Sequence, residues 1–358
     1  MQNKFCKLLS NAVSFRIPGD SNTLTFNPCC LYDDYIPFHP TIFKRERQKF
    51  IEATDFLPAC SKCKLKESTH GSSLRTHSNN QMPSDIDDTV YKLEIVLDTT
   101  CNAACIQCGE LQSSLWRKQY AEDRKIVHIQ PEQQIDSKIQ LIKKSIDLQQ
   151  VKHYHFWGGE PLITDTHLKF LREIEDPSTV KINYTTNCSV FPDDEVLELW
   201  SKFKMVTIGL SLDGIGDKFY YIRWPLSWDK VKRNLENFRT SSPANTNFHI
   251  NCCAIPLNVL YVNELGNWLQ DNFRKVSNGS TVSYNFIRGE GTVDAACTPM
   301  SLREEVWKQL GENHDISRVL KEVPIKEPSE MIRHFDKWDK VRNLDWRQTF
   351  PEIVKHFN

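Results

Sequence analysis

From about residue 91 onward, short apolar runs of β type alternate with stretches whose apolar residues recur at helical spacing, the pattern of a parallel sheet with crossover helices. Six strands are predicted, at residues 93–97, 151–157, 180–186, 205–212, 248–254 and 282–287. Between them Ile135, Ile139, Ile142 and Ile146, then Val196, Leu197 and Trp200, then Leu260, Leu265 and Leu269 mark helical faces. Six β-α units are too many for one mononucleotide-binding half. They fit an α/β fold, an open partial (β/α)6 TIM barrel, in which chemistry gathers at the C-terminal ends of the strands.

Residues 1–88 lack this alternation, carry five cysteines and finish in an irregular Ser/Asn/His/Asp-rich stretch from 67 to 88, which predicts a small N-terminal Cys-rich module. Residues 301–358 have helical periodicity with many charges and predict a C-terminal helical extension packed on the barrel of residues 89–300.

A chain of 358 residues with 39% apolar content and a formal charge of -1 is long enough for one large domain plus additions, and its charge argues against a nucleic-acid coat. Lys62, Lys64 and Lys66 form only a local basic patch. No apolar run approaches the ~20 residues of a membrane span, and residues 1–15 show no secretory pattern, so the cytoplasm is the expected compartment. Twelve cysteines in such a compartment point to metal ligands or reactive thiols rather than a disulfide framework.

Three of them, Cys101, Cys105 and Cys108, follow the first predicted strand with C-x-x-x-C-x-x-C spacing. Three thiolates on one short loop suit a 4Fe-4S cubane with one iron left open, whereas a closed zinc site takes four ligands. The other conspicuous motifs also follow strands: Gly158-Gly159-Glu160-Pro161, Thr185-Thr186-Asn187, and Ser211-Leu212-Asp213-Gly214. All are expected to face one opening. Plainer readings exist for each: a strand-to-helix turn with a capping Glu160, an ordinary Ser-x-Asp-Gly turn, and an Arg223 paired with Asp217 or Asp229.

The cysteine loop together with Trp157-Gly158-Gly159-Glu160-Pro161 resembles the signature of the radical S-adenosylmethionine (SAM) superfamily. The resemblance implies that the open iron chelates the amino and carboxylate groups of SAM, that Gly158, Gly159 and Glu160 contact its amino end, and that Thr186, Asn187, Ser211, Asp213 and Arg223 contact its ribose or carboxylate. Two positions depart from the family: Gln107 stands where an aromatic residue is common, and Cys188 where glycine usually follows Asn. Ile287-Arg288-Gly289-Glu290 is the one candidate for an adenine-contacting segment.

Upstream, Cys6, Pro28-Cys29-Cys30 and Cys60-Ser61-Lys62-Cys63, followed by Glu67, Gly71, Ser73 and Arg75, resemble the twitch or SPASM type of auxiliary-cluster domain. That implies a second 4Fe-4S cluster on Cys6, Cys29, Cys60 and Cys63, with Cys30 able to replace Cys29. Such domains usually follow the barrel and carry a glycine shortly before the second cysteine; here the module precedes it and Gly19 lies too far back. Structural zinc satisfies four thiolates equally well.

Cys188, Cys252, Cys253 and Cys297 read as small buried residues, although Cys188 and the Cys252-Cys253 pair sit where a thiol could give a hydrogen atom to a substrate radical. His153 and His155 alternate on the second strand as core or surface residues. The resemblance implies reductive SAM cleavage and modification of a peptide or protein, with a flavodoxin or ferredoxin as electron donor. A small molecule such as a nucleoside or sugar is the alternative substrate, and a non-enzymatic zinc-binding interaction protein the alternative from another class.

Overall fold

The computed structural model describes residues 5–17, 23–83, 88–124, 132–273, 282–287 and 292–357. Nine strands form one open sheet: β1 (Ala12–Arg16), β2 (Thr25–Asn27), β3 (Ile36–Pro37), β4 (Lys92–Val96), β5 (His153–Phe156), β6 (Lys181–Thr186), β7 (Met205–Ser211), β8 (Thr246–Ala254) and β9 (Val282–Phe286). Their order is β3-β2-β1-β4-β5-β6-β7-β8-β9, so the edges are β3 and β9. The six strands expected from periodicity are β4 to β9, and the fold is the α/β partial-barrel type with an unclosed sheet.

Helices α1 (Lys7–Asn11), α2 (Pro40–Glu52), α3 (Ser61–His70) and α4 (Leu74–Gln81) belong to the segment before β4. The crossovers hold α5 (Ser114–Arg124), α6 (Glu132–Ser145), α7 (Leu168–Leu171), α8 (Asp194–Ser201), α9 (Gly216–Ile222), α10 (Trp228–Ser241) and α11 (Val262–Asn272). After β9 come α12 (Met300–Leu310), α13 (Asp315–Glu322), α14 (Ser329–Arg342), α15 (Trp346–Thr349) and α16 (Pro351–Val354). No helix among the described residues is long and apolar enough to cross a membrane.

The segment before residue 89 does more than carry cysteines, because β1 pairs in parallel with β4, from Ala12 opposite Lys92 to Arg16 opposite Val96, and β2 pairs antiparallel with β1. The chain divides into two compact units: residues 1–100, 121–184 and 198–207 form the first, and residues 101–120, 185–197 and 208–358 the second.

In the first unit the two sheet faces differ sharply, as period-two alternation requires. Val13, Phe15, Phe26, Leu93, Ile95, Tyr154, Phe156, Ile182 and Tyr184 are buried on one face. Helical side chains cover them: Phe43 of α2 packs 5.0 Å from Phe26, and Trp200 of α8 5.0 Å from Tyr184, between ring centroids.

The opposite face is polar. By register, Asn27, Ser14, Glu94, His155 and Asn183 form one lateral row across β2, β1, β4, β5 and β6. Lys92 pairs with Glu94 at 2.8 Å, and Arg16 lies 4.5 Å over the Trp157 ring. Burial opposes the Glu94 charge, but His155 and Lys92 overcome it and hold the carboxyl well below its ordinary value. Burial pushes His153 down to about 3, so it is neutral at physiological pH.

Several buried polar atoms of this face have no partner among the described residues: both side-chain atoms of Asn27, Glu94 Oε2, Arg16 Nη2 and Trp157 Nε1. An unmet buried amide costs about 1–3 kcal/mol, so such a row is maintained at the expense of stability. Replacing Asn27, which is 1% exposed, with isosteric leucine is therefore expected to raise the melting temperature of the ligand-free protein by roughly 2–4 °C per kcal/mol relieved. Thermal unfolding checks this; a fall in melting temperature would mean that Asn27 is a satisfied structural residue.

Candidate active site

Residues 101–108 run between β4 and α5, and their backbone is held by neighbours rather than by a ladder of their own. The Ala104 N–H donates to the Trp224 carbonyl at 2.7 Å and the Ile106 N–H to the Ile222 carbonyl at 2.8 Å. Trp116 Nε1 donates to the Cys105 carbonyl at 2.8 Å, Ser113 Oγ donates to the Ala103 carbonyl at 2.6 Å, and Ser114 Oγ accepts from the Cys101 N–H at 3.0 Å. External partners for these backbone groups fix the loop without regular structure.

Cys105 is buried, Cys101 half-buried and Cys108 exposed. Cys105 and Cys108 are hydrogen-bonded to each other. That bond, then the Arg223 charge, lowers the Cys105 thiol, whereas the same bond pushes the Cys108 thiol up. Asn187 Nδ2 reaches Cys101 Sγ at 3.8 Å and donates to Asn102 Oδ1 at 3.1 Å, while Asn102 Nδ2 donates to Ser189 Oγ at 2.9 Å. The end of β6 is thereby tied to the loop. Thr186 Oγ1 accepts from the Cys188 N–H at 3.1 Å, and Cys188 is fully buried with φ of 64°. The left-handed backbone that usually selects glycine persists here under a cysteine, at a cost of about 1–2 kcal/mol.

Asp213 is the hub of the second unit. Its Oδ1 accepts from the Cys253 N–H at 2.7 Å, and its Oδ2 accepts from Gln107 Nε2 at 2.6 Å and pairs with Arg223 Nη2 at 2.8 Å. Arg223 therefore pairs with neither Asp217 nor Asp229, and Asp229 pairs with Lys232 instead. Burial opposes the Arg223 charge, but Asp213 and then Cys105 more than restore it, leaving the guanidinium firmly protonated. Arg223 Nε and Gln107 Oε1 have no partner among the described residues, and Ser211 is buried at the end of β7.

The glycine turn lies in the first unit. Gly158 and Gly159 have φ of 89° and 55°, and a Cβ on them would come within 2.4 Å of Val96 Cγ1 and of the Thr100 carbonyl, respectively. The chain's own approach to residues 96–100 thus requires both glycines. The Glu160 N–H donates to the Thr100 carbonyl at 2.8 Å, and the buried Glu160 carboxylate accepts from the Leu162 N–H at 3.1 Å, a bond within the turn rather than a helix cap, since the next helix starts at Leu168.

The N-terminal cysteines line one apolar cavity. Cys6, Cys29, Cys60 and Cys63 share it with Phe5, Leu8, Leu9, Leu31, Tyr32, Phe56 and Arg75. Cys30 is not in this lining; it lies by Glu94, Lys92 and Arg16, whose charges act on its thiol after the dominant effect of burial. Gly71 ends α3 at φ of 70°, Ser73 caps α4, and Glu67 receives both Ser73 and Arg75. Arg75 in turn donates to the Phe5 carbonyl at 2.7 Å, beside Cys6. The spaced Glu, Gly, Ser and Arg are therefore the clasp of the cavity. Burial raises the thiols of Cys6, Cys29 and Cys60. The thiols stay spread over the wall: among the described residues no three Cys, His, Asp or Glu side chains converge closely enough to share one metal ion.

Cys252 and Cys297 are buried, and burial raises all of the Cys252, Cys253 and Cys297 thiols. Of the adenine-contact candidate, Arg288, Gly289 and Glu290 lie outside the described residues. Sequence reading missed the polar row around Asn27 and Glu94, whose only signal is polar residues at alternate strand positions. It also missed Arg342, which no linear motif marks.

Residues 95–256 match the model of the Radical SAM superfamily, a stretch that holds the cysteine loop, the glycine turn, Asn187, Asp213 and Arg223. That part of the chain is a radical SAM domain, an enzyme domain. No curated protein matches the chain. Among solved structures, native anSMEcpe with bound AdoMet aligns over 65% of this chain at 16% identity with a TM-score of 0.41, and this chain covers 63% of that one. Streptococcus suis SuiB bound to precursor peptide SuiA aligns over 98% of this chain and 75% of that one at 14% identity and a TM-score of 0.38.

Gly159→Ala is expected to destabilise the protein by at least ~2 kcal/mol, from the left-handed backbone and the clash with Thr100. Gly266→Ala in α11, where a Cβ meets nothing within 4 Å, should instead stabilise by ~0.5–1 kcal/mol. Denaturant titration of both variants checks the contrast.

Proposed function

We propose that the protein is a radical SAM enzyme that holds a 4Fe-4S cluster on Cys101, Cys105 and Cys108, binds SAM beside it and abstracts hydrogen from a peptide or protein substrate. The observation that carries this reading is the externally braced loop, which presents three thiols within a radical SAM domain. When bound, the cluster and SAM supply one-electron cleavage of the sulfonium to methionine and a 5′-deoxyadenosyl radical.

The chain's own residues then bind and orient. Asn187 and Asn102 hold the loop at Cys101, and Thr186 and Ser211 serve as cofactor contacts. Arg223 Nε offers a buried N–H to a carboxylate, while Asp213 pairs with Nη2. Gln107 Oε1, in place of the family's aromatic residue, accepts from an amino group. Asp213 fixes both side chains in position.

The cavity of Cys6, Cys29, Cys60 and Cys63 carries a second 4Fe-4S cluster, with Cys29 rather than Cys30 as the ligand. Thiols spread around a wall suit the corners of a cubane better than a single zinc ion, whose Zn–S bonds of about 2.3 Å draw ligands to one point. The substrate reading is supported by the polar row: Asn27, Arg16 and Trp157 offer donors, while Asn27 and Glu94 offer acceptors. Main-chain amides present both complements at short repeat. A low-potential flavodoxin or ferredoxin is the electron source that the resemblance implies.

Anaerobically reconstituted protein should bind about eight irons, and dithionite with SAM should release 5′-deoxyadenosine. Cys105→Ala should abolish release. Cys63→Ala should fall to about four irons and still cleave SAM. Stoichiometric zinc with no nucleoside product would sink the proposal.

A further inference from the structure

Helix α14 ends in Arg342, a buried guanidinium whose carbon lies 4.4, 4.8 and 5.3 Å from the ring centroids of Trp116, Trp224 and Trp338. Nη2 donates to Gln119 Oε1 at 2.9 Å, and Nε has no partner among the described residues. Among the described residues no carboxylate pairs with it within 4.0 Å. Asp339, one turn earlier, is occupied by the Tyr221 hydroxyl and the Trp346 N–H, each at 2.7 Å.

Two of the three indoles are fastened to the cysteine loop. Trp116 donates to the Cys105 carbonyl, and the Trp224 carbonyl accepts from the Ala104 N–H. Indole faces offset only part of what burying a cation costs, about 2 kcal/mol or somewhat more for a desolvated contact. Burial accordingly lowers Arg342 to about 10, and Cys105 is among the groups that oppose this. A fixed positive charge stands here without an anion of its own, one side chain away from the loop.

We infer that Arg342 is a positioning residue for redox chemistry, its charge making the cluster on Cys101, Cys105 and Cys108 easier to reduce. This rests on the cluster assignment proposed above. Reduction moves one electron from a low-potential one-electron donor to the cluster and adds one negative charge to it. A nearby cation in a low-dielectric setting stabilises the product of that step more than the reactant. The helical extension after residue 300 would then set the ease of a step that the radical SAM domain carries out.

EPR-monitored potentiometry tests this in a Cys63→Ala background, where only the loop cluster remains. Arg342→Met and Arg342→Gln should lower the reduced-to-oxidised ratio at a fixed potential about tenfold, equivalent to about 59 mV for one electron, with iron content retained. Arg342→Lys, which keeps the charge, should stay within about threefold of the parent. Loss of loop iron in both neutral variants but not in Arg342→Lys would also support a demand for charge. An unchanged potential in a loaded neutral variant, or an equal shift in Arg342→Lys, would overturn the inference. A parent without loop iron would instead refute the cluster assignment.

Discussion

Everything proposed for this protein depends on how residues 101–108 are held. A loop carrying three thiols cannot use its own backbone to stay folded, because regular pairing would turn the side chains to alternate faces. The N–H groups of Ala104 and Ile106 instead reach the carbonyls of Trp224 and Ile222, and Ser113 and Trp116 cap the carbonyls of Ala103 and Cys105. The price is a dependence on other segments, since Ile222 ends α9, Trp224 follows it, and Ser113 and Trp116 stand at the start of α5. The apolar core extends that dependence: Ala104, Ile106 and Trp116 share one buried cluster with Leu302, Phe335, Trp338, Trp346 and Phe350 of the C-terminal helices. The helical extension is part of the loop's support.

A buried electrostatic network runs through the same unit. Asp213 joins Gln107, Arg223 and the Cys253 N–H, so the cysteine loop, the end of β7 and β8 are tied at one carboxylate. Removing one member of such a buried pair typically costs about 3–5 kcal/mol, more than the pair itself contributes to stability. That asymmetry suits a site where specificity of arrangement matters more than net stability. Gln107 is legible in this light: its amide replaces an aromatic contact with a bond to Asp213.

Much of the fold was legible because period-two and helical spacing are strong over residues 91–287, and β4 to β9 lie where those periods put them. Strands β2 and β3 were not, since three and two residues give too few alternations to stand out, and β1, as long as β4, follows α1 with no residue between. The cysteine loop was legible from spacing, and the glycine turn from composition, yet the reason for the glycines is the chain's own contact with Val96 and Thr100. Choosing Cys29 over Cys30 needed the structure, because adjacent residues point to different surroundings. Arg342 was invisible because its ring partners come from three separate segments.

The most direct test of the central claim is whether SAM coordinates the loop cluster. EPR spectra of the reduced Cys63→Ala protein, recorded with and without SAM, address one cluster at a time. If the loop leaves one iron open, SAM should change the g-values of the reduced signal. An identical spectrum at saturating SAM, with the cluster loaded and reduced, would contradict the account.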